Sequence, residues 1–105
     1  MTAWIDAGAF DAIDDEDVAR FDHGGRTFAI YRVEDQPYAT DGLCTHEQVH
    51  LCDGLVMDHV IECPKHNGRF DVRNGKPLGP PVCVALRCYP AKVEGGRVMI
   101  QADGS

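Results

Sequence analysis

The sequence predicts an all-β fold, a small sandwich or barrel of short antiparallel strands. Three observations carry that prediction. Short apolar runs recur at close spacing along the 105 residues, and glycine or polar turn residues separate them. Only Ala7–Asp17 has helical promise, and its aspartates favour caps and turns over helix interiors. Trp4, ahead of it, reads as a core anchor.

Taken in order, Val18–Phe21 and Thr27–Val33 flank His23-Gly24-Gly25-Arg26, a strong hairpin signal that leaves His23 solvated. Gln36-Pro37 follows a polar turn, and Tyr38–Thr40 then reads as a brief strand. Val60–Cys63 is another apolar run, and Arg69–Val72 leads into the turn Arg73-Asn74-Gly75-Lys76. Val82–Tyr89 and Lys92–Glu94 read as extended, and Gly95-Gly96 turns the chain into Arg97–Gln101. The tail Ala102–Ser105 reads as frayed.

Residues 1–105 form one domain by length. The segment 41–81 differs from its flanks, holding four of the five histidines, three of the five cysteines and four of the six prolines. The economical reading is a subdomain inserted into a β frame made of residues 1–40 and 82–105.

Charge and composition exclude several functions. A formal net charge of −7 argues against nucleic acid, which needs clustered Lys and Arg, and against anionic membrane surfaces. The charge serves solubility, and it also suits steering toward basic partner surfaces. No apolar run approaches the roughly 20 residues of a membrane span. The N-terminal carboxylates, with no basic residue before Arg20, are unlike a secretory signal, so the expected compartment is the cytoplasm. Five cysteines cannot all pair, and Cys mixed with His in a reducing compartment reads as a metal site first.

Two motifs carry the chemistry. Cys44-Thr45-His46 and Cys63-Pro64-Lys65-His66 spell C-x-H, sixteen intervening residues, then C-x-x-H. Each supplies one thiolate and one imidazole. A single zinc ion usually takes like ligands in pairs, and structural zinc is the alternative here. Two equivalent mixed loops better suit a two-iron cluster, with both thiolates on one iron and both imidazoles on the other, the Rieske arrangement. The expected ligands of one [2Fe–2S] cluster are therefore Cys44, His46, Cys63 and His66. Replacing two thiolates by neutral imidazoles removes two negative charges, so the cluster reduces more readily than an all-thiolate one.

The run Cys44–Asp53, with Cys63-Pro64-Lys65-His66-Asn67-Gly68-Arg69-Phe70-Asp71, resembles the ferredoxin component of bacterial Rieske oxygenase systems. The resemblance spans essentially the whole chain. It implies the Rieske iron–sulfur fold: three stacked antiparallel sheets, with the two ligand loops at the tip of a cluster-binding subdomain. It implies histidines bound through Nδ1, and a rim of Glu47, Gln48, Lys65 and Asn67 around their exposed edges. It also implies that Gly79-Pro80-Pro81 belongs to a loop covering the cluster. Asn67 stands where the family usually has Gly, and Asn tolerates the left-handed backbone such a turn uses. High-potential members place cysteines at positions matching Gln48 and Lys65, and hydroxyl residues where Gly68 and Phe70 stand, so this chain resembles the low-potential type.

The other sulfur and imidazole groups have plainer readings. Cys52, Cys83 and Cys88 read as small buried hydrophobes. Cys83 and Cys88 are five apart, which on a regular strand sets them on opposite faces and argues against a bridge. His50 and His59 read as surface or capping residues.

The resemblance implies an electron-transfer ferredoxin with no substrate site of its own. It would carry single electrons from an NAD(P)H-dependent ferredoxin reductase, a flavoprotein, to a terminal Rieske non-haem iron oxygenase of an aromatic hydroxylation or demethylation system. A free-standing oxygenase needs a second iron site and a substrate pocket, for which the chain has no room. A nitrite reductase small component and a zinc-stabilised interaction module are the remaining rivals.

Overall fold

A computed structural model describes residues 3–45, 48–65, 67–79 and 84–102. Its organising strand is β3 (Arg26–Val33), which is apolar on both faces because it is buried on both. Phe28 and Ile30 point to one side; Ala29, Tyr31 and Val33 point to the other. Each large side chain here contributes about 1.5–3 kcal/mol by leaving water.

β3 pairs with β2 (Asp17–His23) across Gly24-Gly25, whose φ values of 60° and 78° are those a two-residue hairpin turn demands. On its other edge lies β4 (Gln36–Asp41), reached through Glu34 and Asp35, both left-handed at φ 52° and 59°. β4 then pairs with β8 (Cys88–Tyr89), Thr40 opposite Cys88, so the chain leaves this four-stranded sheet at Asp41 and rejoins it at Cys88.

Within that excursion β5 (Leu55–Met57), β6 (Val60–Glu62) and β7 (Arg69–Asp71) form a three-stranded antiparallel sheet. A third sheet joins β1 (Trp4–Ala9), β10 (Arg97–Gln101) and β9 (Ala91–Glu94), in that order. Two cores result. Phe10, Ile13, Phe28, Tyr89, Val98 and Ile100 lie in the one that includes β10. Tyr31, Leu51, Ile61, Phe70, Val72 and both Cys44 and Cys63 lie in the one that includes the small sheet.

Several expectations are corrected. Of Ala7–Asp17 only Phe10–Ala12 is helical, a single 3-10 turn, and the first residues of that segment belong instead to the strand Trp4–Ala9. Trp4 is 37% exposed, with the Lys92 ammonium 4.3 Å from its ring centroid, so it covers a sheet face instead of anchoring a core. In the described part of Val82–Tyr89 only Cys88–Tyr89 is a strand. No helix among the described residues is long and apolar enough to cross a membrane.

Candidate metal centre

The first motif occupies a hairpin that begins where β4 ends. Gly42 N–H donates to Thr27 O, Leu51 N–H returns to Gly42 O at 2.8 Å, and Leu43 bridges His50. Inside that closure the Cys44 N–H donates to Val49 O at 3.0 Å. The second motif follows β6, and there the Cys63 N–H donates to Gly68 O at 2.6 Å. Both cysteines thus open a loop by binding the carbonyl of the residue five positions later. Asn67 completes the second loop at φ 57°, the left-handed conformation expected of it.

Cys44 and Cys63 are buried, 3% and 1% exposed, in one cluster with Leu51, Ile61 and Phe70. Two bare thiolates there would be costly; bonded to metal their charge is compensated, so the donor set fits an iron–sulfur group. His46, Glu47 and His66 lie outside the described residues, as do Pro80, Pro81 and Cys83. Of the expected rim, Gln48, Lys65 and Asn67 are exposed.

Two contacts at these loops escaped the sequence. Thr45 Oγ1 donates to Val84 O at 2.7 Å, and Leu78 N–H donates to Arg69 O at 2.9 Å. The two flanks of residues 80–83 are thereby tied to the two cysteine loops. A hydroxyl next to Cys44 was the only sequence signal for this.

The remaining candidates are not part of the two motifs, although His50 bridges Leu43 at the base of the first loop. Cys52 and Cys88 are free and part-buried; burial raises both thiols above their ordinary range, so they stay protonated and weakly nucleophilic. His50 precedes the 3-10 turn Leu51–Asp53 but makes no side-chain cap. Its Nδ1 is buried without a hydrogen-bond partner among the described residues. His59 is no surface residue: its side chain is 14% exposed, with Nδ1 3.1 Å from Asp58 and Nε2 3.6 Å from Glu34, edge-on to Tyr38.

A cavity of about 570 Å³ lies behind the first loop, lined by Arg20, Asp22, Arg26, Asp41 and His50 among others. Its charged groups already engage one another. Arg20 binds Asp22 at 3.0 Å, and Arg26 donates to the Tyr89 hydroxyl, which donates to Asp41. Burial and the Asp41 bond push the Tyr89 phenol up to about 12, so it remains a donor.

A sequence profile of the Rieske [2Fe–2S] domain matches residues 3–90. The ferredoxin component of naphthalene 1,2-dioxygenase/salicylate 5-hydroxylase systems of Ralstonia sp. is 44% identical over 100 residues, 95% of this chain and 96% of that protein. The ferredoxin component of a naphthalene 1,2-dioxygenase system of Pseudomonas aeruginosa is 47% identical over 97 residues, 92% of this chain and 93% of that one. Among solved structures, a chain in the complex of reduced oxygenase and oxidized ferredoxin in carbazole 1,9a-dioxygenase superposes with a TM-score of 0.88 at 35% identity. That match covers 93% of this chain and 92% of the other.

Proposed function

The chain belongs to the Rieske [2Fe–2S] family and is an electron-carrier component, not a catalytic oxygenase, and on that premise we propose the residues and partners through which it works. Cys44, His46, Cys63 and His66 hold one [2Fe–2S] cluster, and residues from about 41 to 81 form the unit that carries it. The observation behind this assignment is the matched pair of loops, each opened by a buried cysteine whose own N–H closes the loop five residues on.

When bound, the cluster accepts and releases one electron at a time, at a potential set by its mixed ligands and surroundings. The chain's own residues do the rest. Leu51, Ile61 and Phe70 keep water from the sulfur side, because they share the buried cluster of Cys44 and Cys63. The Thr45–Val84 bond holds the segment after position 83 against the first loop. Gln48, Lys65 and Asn67 are exposed near positions 46 and 66, and they form part of the face a partner meets. Phe70 and Gly68 supply no hydroxyl donors, which leaves the reduced state less stabilised and the potential low.

The electron donor is an NAD(P)H-dependent reductase, a flavoprotein by preference, and the acceptor is a terminal Rieske oxygenase acting on aromatic or other small organic substrates. The protein works in the cytoplasm. Equimolar iron and acid-labile sulfide without zinc, and two distinct iron environments by Mössbauer spectroscopy, are the expected results. Zinc in place of iron, or two equivalent irons, would overturn the ligand assignment.

A further inference from the structure

The two ends of the molecule differ in charge, and strand direction tells which is which. β4 starts beside the Glu34–Asp35 turn and ends at Asp41, where the chain departs for Cys44. β5 and β6 join through Asp58 and His59, and β6 ends at Glu62, next to Cys63. The two turns meet: His59 Nε2 lies 3.6 Å from Glu34, and the Asp58 N–H donates to Glu16 at 2.6 Å. Both turns therefore share one end, and both cysteine loops leave from the other.

The carboxylates gather at the turn end. Beside Glu34, Asp35 and Asp58, the segment entering β2 adds Asp11, Asp14, Asp15, Glu16 and Asp17. It is stitched there by Asp15, which accepts from the Asp35 N–H at 3.2 Å, and by Asp17, which pairs with Arg32. At the loop end the charges cancel instead. Arg69 binds Glu62 at 2.9 Å, and Arg26 reaches Asp41 through Tyr89. Lys65 and Arg87 stand there with Asp53, and the sequence adds the Glu47 carboxylate to the first loop. Pro64, Leu78 and Val84 add exposed apolar surface there. Most of the −7 thus belongs to the turn end.

We propose that the loop end is an electrically neutral, partly apolar docking face, suited to a redox partner whose contacting surface is uncharged, and not to the basic partner that the net charge suggests. The six residues of β4 span about 20 Å. The Debye length at physiological salt is about 8 Å, so a partner at the loop end barely senses the carboxylates. This inference rests on the reading that the cluster sits at the loop end.

The test uses the reduced holoprotein in stopped flow with hexacyanoferrate(III), a trianion, or hexaammineruthenium(III), a trication. In each case one electron leaves the protein and reduces one complex. Between about 0.1 and 0.5 M salt, both second-order rates should change by less than about 1.5-fold. If the whole charge acted at the exit, the trianion rate would rise about threefold and the trication rate would fall by a similar factor, overturning the proposal. Asp14→Lys with Asp17→Lys should leave both rates inside the same band. Lys65→Glu should slow the trianion reaction, with recovery on adding salt; distant variants acting as strongly as Lys65→Glu would also overturn it. A Cys44→Ala protein that keeps its cluster would sink the underlying site reading, whereas a steep salt response in a protein that passes that check sinks the charge inference alone.

Discussion

Gly54 stands between the first cysteine loop and β5, where its backbone passes the carbonyl of Glu62, the residue before Cys63. A Cβ at this position would lie 2.2 Å from Glu62 O and 3.1 Å from Leu51 O. The backbone, at φ −89° and ψ −165°, is open to alanine, so the effect of Gly54→Ala is purely steric. An ordinary carbon–oxygen contact is about 3.3 Å, so roughly 1 Å must be made up by moving backbone against backbone. That places the cost at the upper end of overpacking, about 2–3 kcal/mol. For a domain of this size it corresponds to a drop of roughly 10–20 °C in the unfolding midpoint. The assay is loss of the cluster's visible absorbance on heating at one fixed scan rate, because cluster loss makes unfolding irreversible. Gly96→Ala is the comparison: φ is 78° and no atom lies within 4 Å, so only the left-handed backbone, about 1–2 kcal/mol, is at stake. A Gly54→Ala midpoint within about 3 °C of wild type, or above that of Gly96→Ala, would refute the steric reasoning.

Alanine at Cys44, His46, Cys63 or His66 should abolish the native cluster, while Cys52→Ser and Cys88→Ser keep it; iron and sulfide content decides, and a colourless Cys52→Ser protein contradicts the assignment. The potential should lie near −150 mV, about the low end of the Rieske range, and Phe70→Tyr, which adds a donor to the buried cluster of Cys44 and Cys63, should raise it in protein-film voltammetry; a wild-type value well above zero refutes the argument from missing hydroxyls. Thr45→Val removes the bond to Val84 O, and at about 1 kcal/mol it should speed oxidative bleaching about fivefold; an unchanged rate shows that the tie holds nothing. The Arg73 guanidinium and N–H hold the Asp71 carboxyl below the usual carboxylate range. The stability this pair adds is present above the unfolded carboxylate value of about 3.9 and is lost as pH falls through the lower folded value. The difference between wild type and Asp71→Asn should therefore be constant at neutral pH and shrink below about pH 4; a difference that grows on acidification contradicts the ion pair.

How much was legible depended on how local the determining interactions are. The β2–β3 and β9–β10 hairpins were readable because Gly24-Gly25 and Gly95-Gly96 announce their own turns. The two cysteine motifs were readable because ligand spacing is written within a few residues. β1 was not: Trp4–Ala9 is rich in Ala, Gly and Asp, and only its pairing with β10, at the far end of the sequence, makes it a strand. β5, three residues long, has too little pattern to stand out. His59 reads in the sequence as a surface or capping residue, and its burial comes from Tyr38 and Glu34, more than twenty residues away. Thr45 was invisible as a tie because its acceptor, Val84, lies across the chain's longest excursion.

The central claim is that this chain carries single electrons and transforms no substrate. The direct measurement is a single turnover in which the fully reduced protein is mixed, without reductase, with oxidised terminal oxygenase and its substrate in the presence of oxygen. Each chain should be oxidised once, with product limited by the electrons delivered and none formed when the oxygenase is omitted. Product from this protein and a chemical reductant alone, after contaminating oxygenase has been excluded, would contradict the account.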